Sequence, residues 1–286
     1  MLIELINRTG VLMNNLFNIL FILGISLIPS IIMLGIILYS DRKSKEPISL
    51  ILLCTISGFF TITLSLFIQN YILNTLNLVH TDQLISIQSG LRIFVLSSIE
   101  EYCKLFILYF FFSRLKSFDD IYDGFVYSAI IALSFAAIET VMYVFKEVTM
   151  IDQSALALTR TFTAIPLHLV CGIVMGYYIA LEKFSKKKKY KILELIKSIT
   201  LPIIIHSIYN IILTFVPVYT TNTTIIQIFI ISYIVSIYII GILYIKKNKK
   251  LNELFIKNRK YPDKYKFLMH KPEFIKKLKK RKSKSQ

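Results

Sequence analysis

Long apolar stretches separated by short polar ones dominate the pattern of this chain. Seven stretches are each long enough to cross about 30 Å of hydrocarbon at a helical rise of about 1.5 Å per residue. They are residues 16–39, 48–73, 91–112, 121–145, 155–181, 195–216 and 225–245. The pattern predicts an all-α fold, a polytopic transmembrane helical bundle of about seven spans. The first stretch has no acidic or basic residue and is too long for the core of a cleaved signal peptide, so it reads as a retained helix.

The polar connections set an orientation. Arg42, Lys43 and Lys45 follow the first stretch, Arg114 and Lys116 follow the third, and six of the nine residues 183–191 are lysine. The intervening connections hold at most Lys146. Basic and neutral connections alternate, and basic ones stay on the cytoplasmic side. The N-terminus is therefore expected outside and the C-terminus in the cytoplasm, with the protein a multi-pass component of the cell membrane. The expected organisation is residues 1–90 as two spans and an outer loop, 91–216 as a catalytic core, 217–245 as a last span and 246–286 as a basic cytoplasmic tail.

Composition sharpens this only in places. The 286 residues are 55% hydrophobic with a formal net charge of +17. From Lys246 onward there are 17 Lys or Arg against 3 acids. Beside a membrane span, such a tail is expected to meet anionic lipid rather than nucleic acid. The three cysteines all fall in apolar stretches, which argues against a disulfide framework.

The informative departures are ionisable groups inside apolar stretches. Glu100, Glu101 and Lys104 interrupt the third, and Glu139 the fourth. Each unpaired charge at mid-bilayer costs roughly 2.5–3.5 kcal/mol on insertion scales, so these groups are expected to share an internal polar site. Helical spacing lets both carboxylates reach Lys104, and two neighbouring carboxylates in low dielectric resist ionising together. Small residues recur every fourth position in the fourth stretch, at Gly124, Ser128, Ala132, Ala136 and Thr140, which permits a close helix contact. His168, Gly172 and Gly176 share a face of the fifth stretch. Pro166 is expected to bend that helix and free carbonyls near the histidine. Arg160, near the outer end, can reach a carboxylate. His206 and Asn210 lie one turn apart in the sixth stretch, with Asn210 placed to bond the histidine or an oxygen held near it. His80 falls in an outer loop and His270 in the tail.

Four segments together, SSIEEYCK, YDGFVYSAIIALSFAAIET, RTFTAIPLHLVCGIVMGYY and HSIYN, resemble the successive motifs of the PrsW family of intramembrane proteases, relatives of the CAAX-type prenyl-protein and bacteriocin-processing proteases. The resemblance runs from Ser97 to Asn210 and leaves out the first two spans and the tail. It implies peptide-bond hydrolysis, with single-pass membrane proteins, anti-sigma factors above all, as substrates cut on their extracytoplasmic side. It places the double-Glu motif on Glu100 and Glu101 with Lys104, the next motif on Phe135 and Glu139, and the remaining ones on His168, His206 and Asn210. Thr140 stands where the family often has Asn.

The resulting expectation is water attack on a peptide carbonyl without a cofactor. Glu100 or Glu101 is the base, His168 holds the water, His206 and Asn210 stabilise the oxyanion, and Glu139 orients a histidine. Lys104 and Arg160 support them. The alternative is a zinc site of His168, His206 and Glu139. Competing functions are a proton-coupled transporter using the same cluster and a CAAX-type processing protease.

Overall fold

The computed structural model describes residues 2–40, 46–76, 87–185 and 188–260, so His80, His270 and most of the basic tail lie outside the described residues. In chain order the helices are α1 (Leu2–Ser40), α2 (Ile48–Thr75), α3 (Ile87–Ile107), α4 (Ile121–Val144), α5 (Met150–Phe162), α6 (Ala164–Phe184), α7 (Lys188–Tyr219) and α8 (Thr223–Lys260). A π-helical turn, Leu108–Phe112, continues α3.

Among the described residues, six helical segments are long and apolar enough to cross a membrane: Leu16–Ser40, Ile48–Thr75, Ile121–Val144, Met150–Phe184, Lys188–Val218 and Thr223–Ile256. The third expected span does not qualify on hydropathy. α3 is 21 residues long, but Arg92, Glu100, Glu101 and Lys104 lower its apolar character. It is seated instead by packing between α2 and α7. Glu101 and Lys104 are buried inside the bundle rather than facing lipid.

α4 is the central helix and is buried over most of its length. Its start is fixed locally. The Asp120 carboxylate accepts from the backbone N–H of Tyr122 and Asp123, and the Asp123 carboxylate accepts from the N–H of Asp119 and Asp120. Such a box satisfies donors that a helix start leaves open. From α8, Asn252 donates to Asp120 and accepts from the Ile121 N–H, tying the last helix to the same turn.

The small-residue stripe makes the contact expected of it. α4 and α6 approach so closely that a Cβ on Gly172 would lie 2.7 Å from the Ala132 Cβ and 2.8 Å from the Ser128 carbonyl oxygen. This contact brings the faces carrying Glu139 and His168 together.

The fifth expected span is two helices, α5 and α6, meeting at Thr163, whose φ is −118° and ψ −73°. Pro166 is the physical cause. It has no N–H for the Phe162 carbonyl, and its ring would collide with that carbonyl in a continuous helix. The Tyr238 hydroxyl donates to the Phe162 carbonyl at 3.4 Å instead, and the Tyr209 hydroxyl donates to Thr163 Oγ1 at 2.9 Å. His168 therefore begins the second turn of a fresh helix, with two tyrosines bracing the break.

Candidate active site

α3, α4, α6 and α7 each direct one or more ionisable side chains to a common point. Glu101 comes from α3 and is fully buried. Its Oε1 lies 2.8 Å from Lys104 Nζ and 2.9 Å from His206 Nδ1. Lys104 Nζ also lies 2.9 Å from His168 Nδ1, and 4.1 Å from the centroid of the Phe135 ring. On the far side of that imidazole, His168 Nε2 lies 2.7 Å from Glu139 Oε2. The two imidazole rings stand edge to face with centroids 4.9 Å apart.

These contacts fix proton positions. An ammonium only donates, so Lys104 donates to His168 Nδ1, and the proton of a neutral His168 sits on Nε2 and is donated to Glu139. A carboxylate only accepts, so His206 donates from Nδ1 to Glu101. In a neutral His206 the lone pair of Nε2 then faces Glu100, whose Oε2 lies 3.8 Å away. That oxygen is buried and has no hydrogen-bond partner among the described residues, and the same holds for Glu101 Oε2. Glu100 Oε1 is occupied: Gln69 Nε2 of α2 donates to it at 3.1 Å.

Glu139 is held from both sides. Arg160, near the end of α5, reaches its Oε2 at 2.6 Å, donates to Thr140 Oγ1 at 3.1 Å and stacks 4.5 Å from the Tyr143 ring centroid. The break at Thr163 makes this possible by letting α5 depart from the axis of α6.

Two expectations about partners need correction. Lys104 was expected within reach of both carboxylates, but the pair it forms is with Glu101, because His168 on α6 draws the ammonium to that side. Asn210 was expected to bond His206 or an oxygen held near it; its Nδ2 donates not to the imidazole but to Ser97 Oγ at 3.0 Å, a tie between α7 and α3. Gln69 and Ser97 join the cluster as well, uncharged residues that do not stand out from the apolar runs around them. Gln69 could have been found as the amide on the α2 face that carries Cys54, Gly58, Thr61, Ser65 and Leu73, all buried at helical spacing.

Of the two groups of donors among the described residues that converge as a metal site would, one lies here: ligand atoms of Glu100, His168 and His206 all lie within 4.8 Å of one another. Glu100, not Glu139, supplies the carboxylate of this set. Two imidazoles and a carboxylate are a usual zinc donor set, and the Glu101 carboxylate on His206 Nδ1 is the usual outer partner of a ligating histidine. The unpartnered Glu100 Oε2 and the open His206 Nε2 fit such an ion. His168 joins them only by giving up a present contact, that of Nε2 with Glu139 or that of Nδ1 with Lys104.

A bundle of membrane-length helices closing on buried carboxylates, imidazoles and one ammonium defines a polytopic membrane protein with the apparatus for hydrolysis inside its span. The chain belongs to the PrsW family: the family described as PrsW family intramembrane metalloprotease matches residues 46–240. The match begins before α2, so the second span lies inside the family region, contrary to the narrower resemblance seen in the motifs. Similar proteins include Protease PrsW of Oceanobacillus iheyensis, 33% identical over 67% of this chain and 82% of that protein. Protease PrsW of Clostridioides difficile is 30% identical over 68% and 79%, and that of Bacillus subtilis 28% over 68% and 83%. No solved structure matches. The chain is a peptidase of the membrane, and the transporter reading falls with that assignment.

Proposed function

We propose that this peptidase hydrolyses a peptide bond at a centre formed by Glu100, His168 and His206. The observation that carries the reading is Glu100 Oε2, buried and without a hydrogen-bond partner among the described residues, 3.8 Å from His206 Nε2. A water held between them gives its proton to Glu100 Oε2 as it attacks the carbonyl carbon. Glu101 keeps the His206 proton on Nδ1, so Nε2 stays an acceptor. Lys104 and Glu139 hold the His168 ring between them. The His168 Nε2–H is then the donor nearest a developing oxyanion once Glu139 yields it.

A second reading rests on the family's description as metalloproteases and on the converging donors. Glu100, His168 and His206 would hold a divalent ion, and Glu101 and Glu139 would orient the two histidines. Such an ion, when bound, lowers the pKa of water and polarises a carbonyl.

For substrate, we propose a single-pass membrane protein, specifically an anti-sigma factor, cut at the extracytoplasmic end of its helix so that a membrane-bound stub remains. Loop-charge alternation supports this by directing the C-terminal end of α4 outward, with Glu139 five residues before Val144. A substrate helix unwinds most readily at its frayed end. The basic tail is proposed to hold anionic lipid. Purified enzyme with candidate single-pass substrates, as wild type and Glu100→Gln, tests the core reading: the variant inserts and does not cleave. Cleavage by Glu100→Gln at the wild-type rate would remove Glu100 from the chemistry. Loss of wild-type activity on chelation, regained with zinc, selects the metal reading. Mass mapping of the products tests the position of the cut, and a cut on the cytoplasmic side would overturn it.

A further inference from the structure

We infer that Gln69 is a positioning residue that aims Glu100 into the site. This rests on the reading of Glu100 as the reacting carboxylate. The two neighbouring carboxylates of α3 differ sharply in their partners. Glu101 is bound by the Lys104 ammonium and the His206 imidazole through Oε1. Glu100 receives a neutral donor on Oε1, the Gln69 amide at 3.1 Å. The other contact of that amide, at 3.3 Å, is the carbonyl of Leu96, one turn before Glu100 on the same helix. The amide nitrogen therefore bridges the carboxylate to its own backbone. That limits rotation of the Glu100 side chain and leaves Oε2 as the free atom facing His206 Nε2.

The chemistry of the partner matters. A cation at this place would hold Glu100 as a permanent ion pair, much as Lys104 holds Glu101, and weaken it as an acceptor of a proton. An amide orients the carboxylate through one ordinary hydrogen bond and adds no charge. The division of labour between the two acids thus lies in their partners. One is locked by charge and holds a histidine, and the other is pinned by an amide and left open to react. Gln69 is itself held in place, since it lies on the buried face of α2, 7% exposed. Its sequence neighbour Asn70 faces outward and is exposed.

Gln69→Met keeps the size of the side chain and removes the donor, and Asn70→Leu is the control on the outer face. The measurements are kcat and KM on the single-pass membrane substrate that the wild type cleaves, in detergent micelles, thermal stability, and affinity for zinc added alone and read by competition with a chromophoric chelator. Zinc serves as a probe of whether Glu100 and the imidazoles still converge. Expected for Gln69→Met is a kcat lowered about 10–100-fold with KM within about twofold, and zinc bound about tenfold more weakly, the scale of losses from outer partners of a metal site. Asn70→Leu should match wild type in all three. Gln69→Glu, which keeps size and polarity but turns the donor into an acceptor, covers a Gln69→Met that does not accumulate and is expected to lose at least as much. Wild-type kcat and zinc affinity in both Gln69 variants overturn the inference. A loss of thermal stability with kcat and zinc affinity intact overturns it too, since Gln69 would then be packing only. Glu100→Gln is run alongside: if it is inactive while Gln69→Met is fully active, this inference fails alone, whereas an active Glu100→Gln shows that the underlying reading has failed.

Discussion

Lys104→Met is the perturbation whose size the structure specifies best. The ammonium is 1% exposed and has Glu101 Oε1 at 2.8 Å and His168 Nδ1 at 2.9 Å. At an effective dielectric near 20, a unit pair at that separation attracts by about 6 kcal/mol. Removing the cation leaves Glu101 buried with His206 in hydrogen-bond contact and His168 Nδ1 3.9 Å away, and much of the carboxylate's desolvation is then uncompensated. Breaking a buried pair from one side costs about 3–5 kcal/mol. For a chain of this size that lowers Tm by roughly 2–4 °C per kcal/mol, so about 10 °C. Glu101→Gln strands the ammonium instead and should cost a similar amount. The double variant removes both charges together and should lose at least about 2 kcal/mol less than the sum of the singles, the signature of direct coupling. The assay is thermal unfolding of the four purified proteins in one detergent, with proteolysis measured in parallel. Strict additivity, or a Lys104→Met protein as stable as wild type, would refute the claim that this pair holds the site together. Activity should be lost in both singles and not regained in the double, because His168 then has no donor on Nδ1 and its ring proton is free to change nitrogen.

Four further outcomes are expected. Gly172→Val places a branched side chain where a Cβ already meets Ala132 and the Ser128 carbonyl, so α4 and α6 must part, at a cost of about 1–3 kcal/mol or more, with activity falling because Glu139 and His168 separate. Gly35→Ala, where nothing lies within 4 Å of the new Cβ, should be neutral in the same unfolding measurement. Glu46, in the connection before α2, has its carboxyl raised above the ordinary 4.5 chiefly by burial, which outweighs the Tyr127 hydroxyl bonded to it at 2.5 Å. Its contribution to stability is therefore full below about pH 4.5 and lost as pH rises through the higher folded value. Glu46→Gln should flatten that part of the Tm–pH curve, and an unchanged slope would count against it. Truncation after Lys257 should leave hydrolysis intact, whereas truncation after Ile245 should destabilise the fold, because it deletes Asn252 from the start of α4 and Phe255 from its stack 4.6 Å from Phe184. Equal stability of the two truncations would show that α8 does not brace α4.

The sequence by itself determined where helices lie and which of their faces meet. Membrane-length apolar runs, a small residue every fourth position in α4, and Pro166 ahead of His168 are local signals, because hydropathy, close backbone approach and a missing N–H act within one helix or across one contact. The membership of the site was legible for the same reason, since charges inside apolar runs stand out: Glu100, Glu101, Lys104, Glu139, His168 and His206 do converge. What only the tertiary structure decided is who pairs with whom. Helical spacing put Lys104 equally within reach of two acids, and the choice came from His168 on another helix. Asn210 was one turn from His206 along α7, yet the neighbouring α3 offered Ser97. Gln69 and Asn70 are adjacent amides in one apolar run; helical spacing puts the first on the small-residue face of α2, and only the rotation of α2 against α3 sets it on Glu100. Pattern along a chain encodes which face of a helix is buried. The partner each polar group finds there depends on the rotation, depth and spacing of helices far apart in sequence, quantities that no single helix carries.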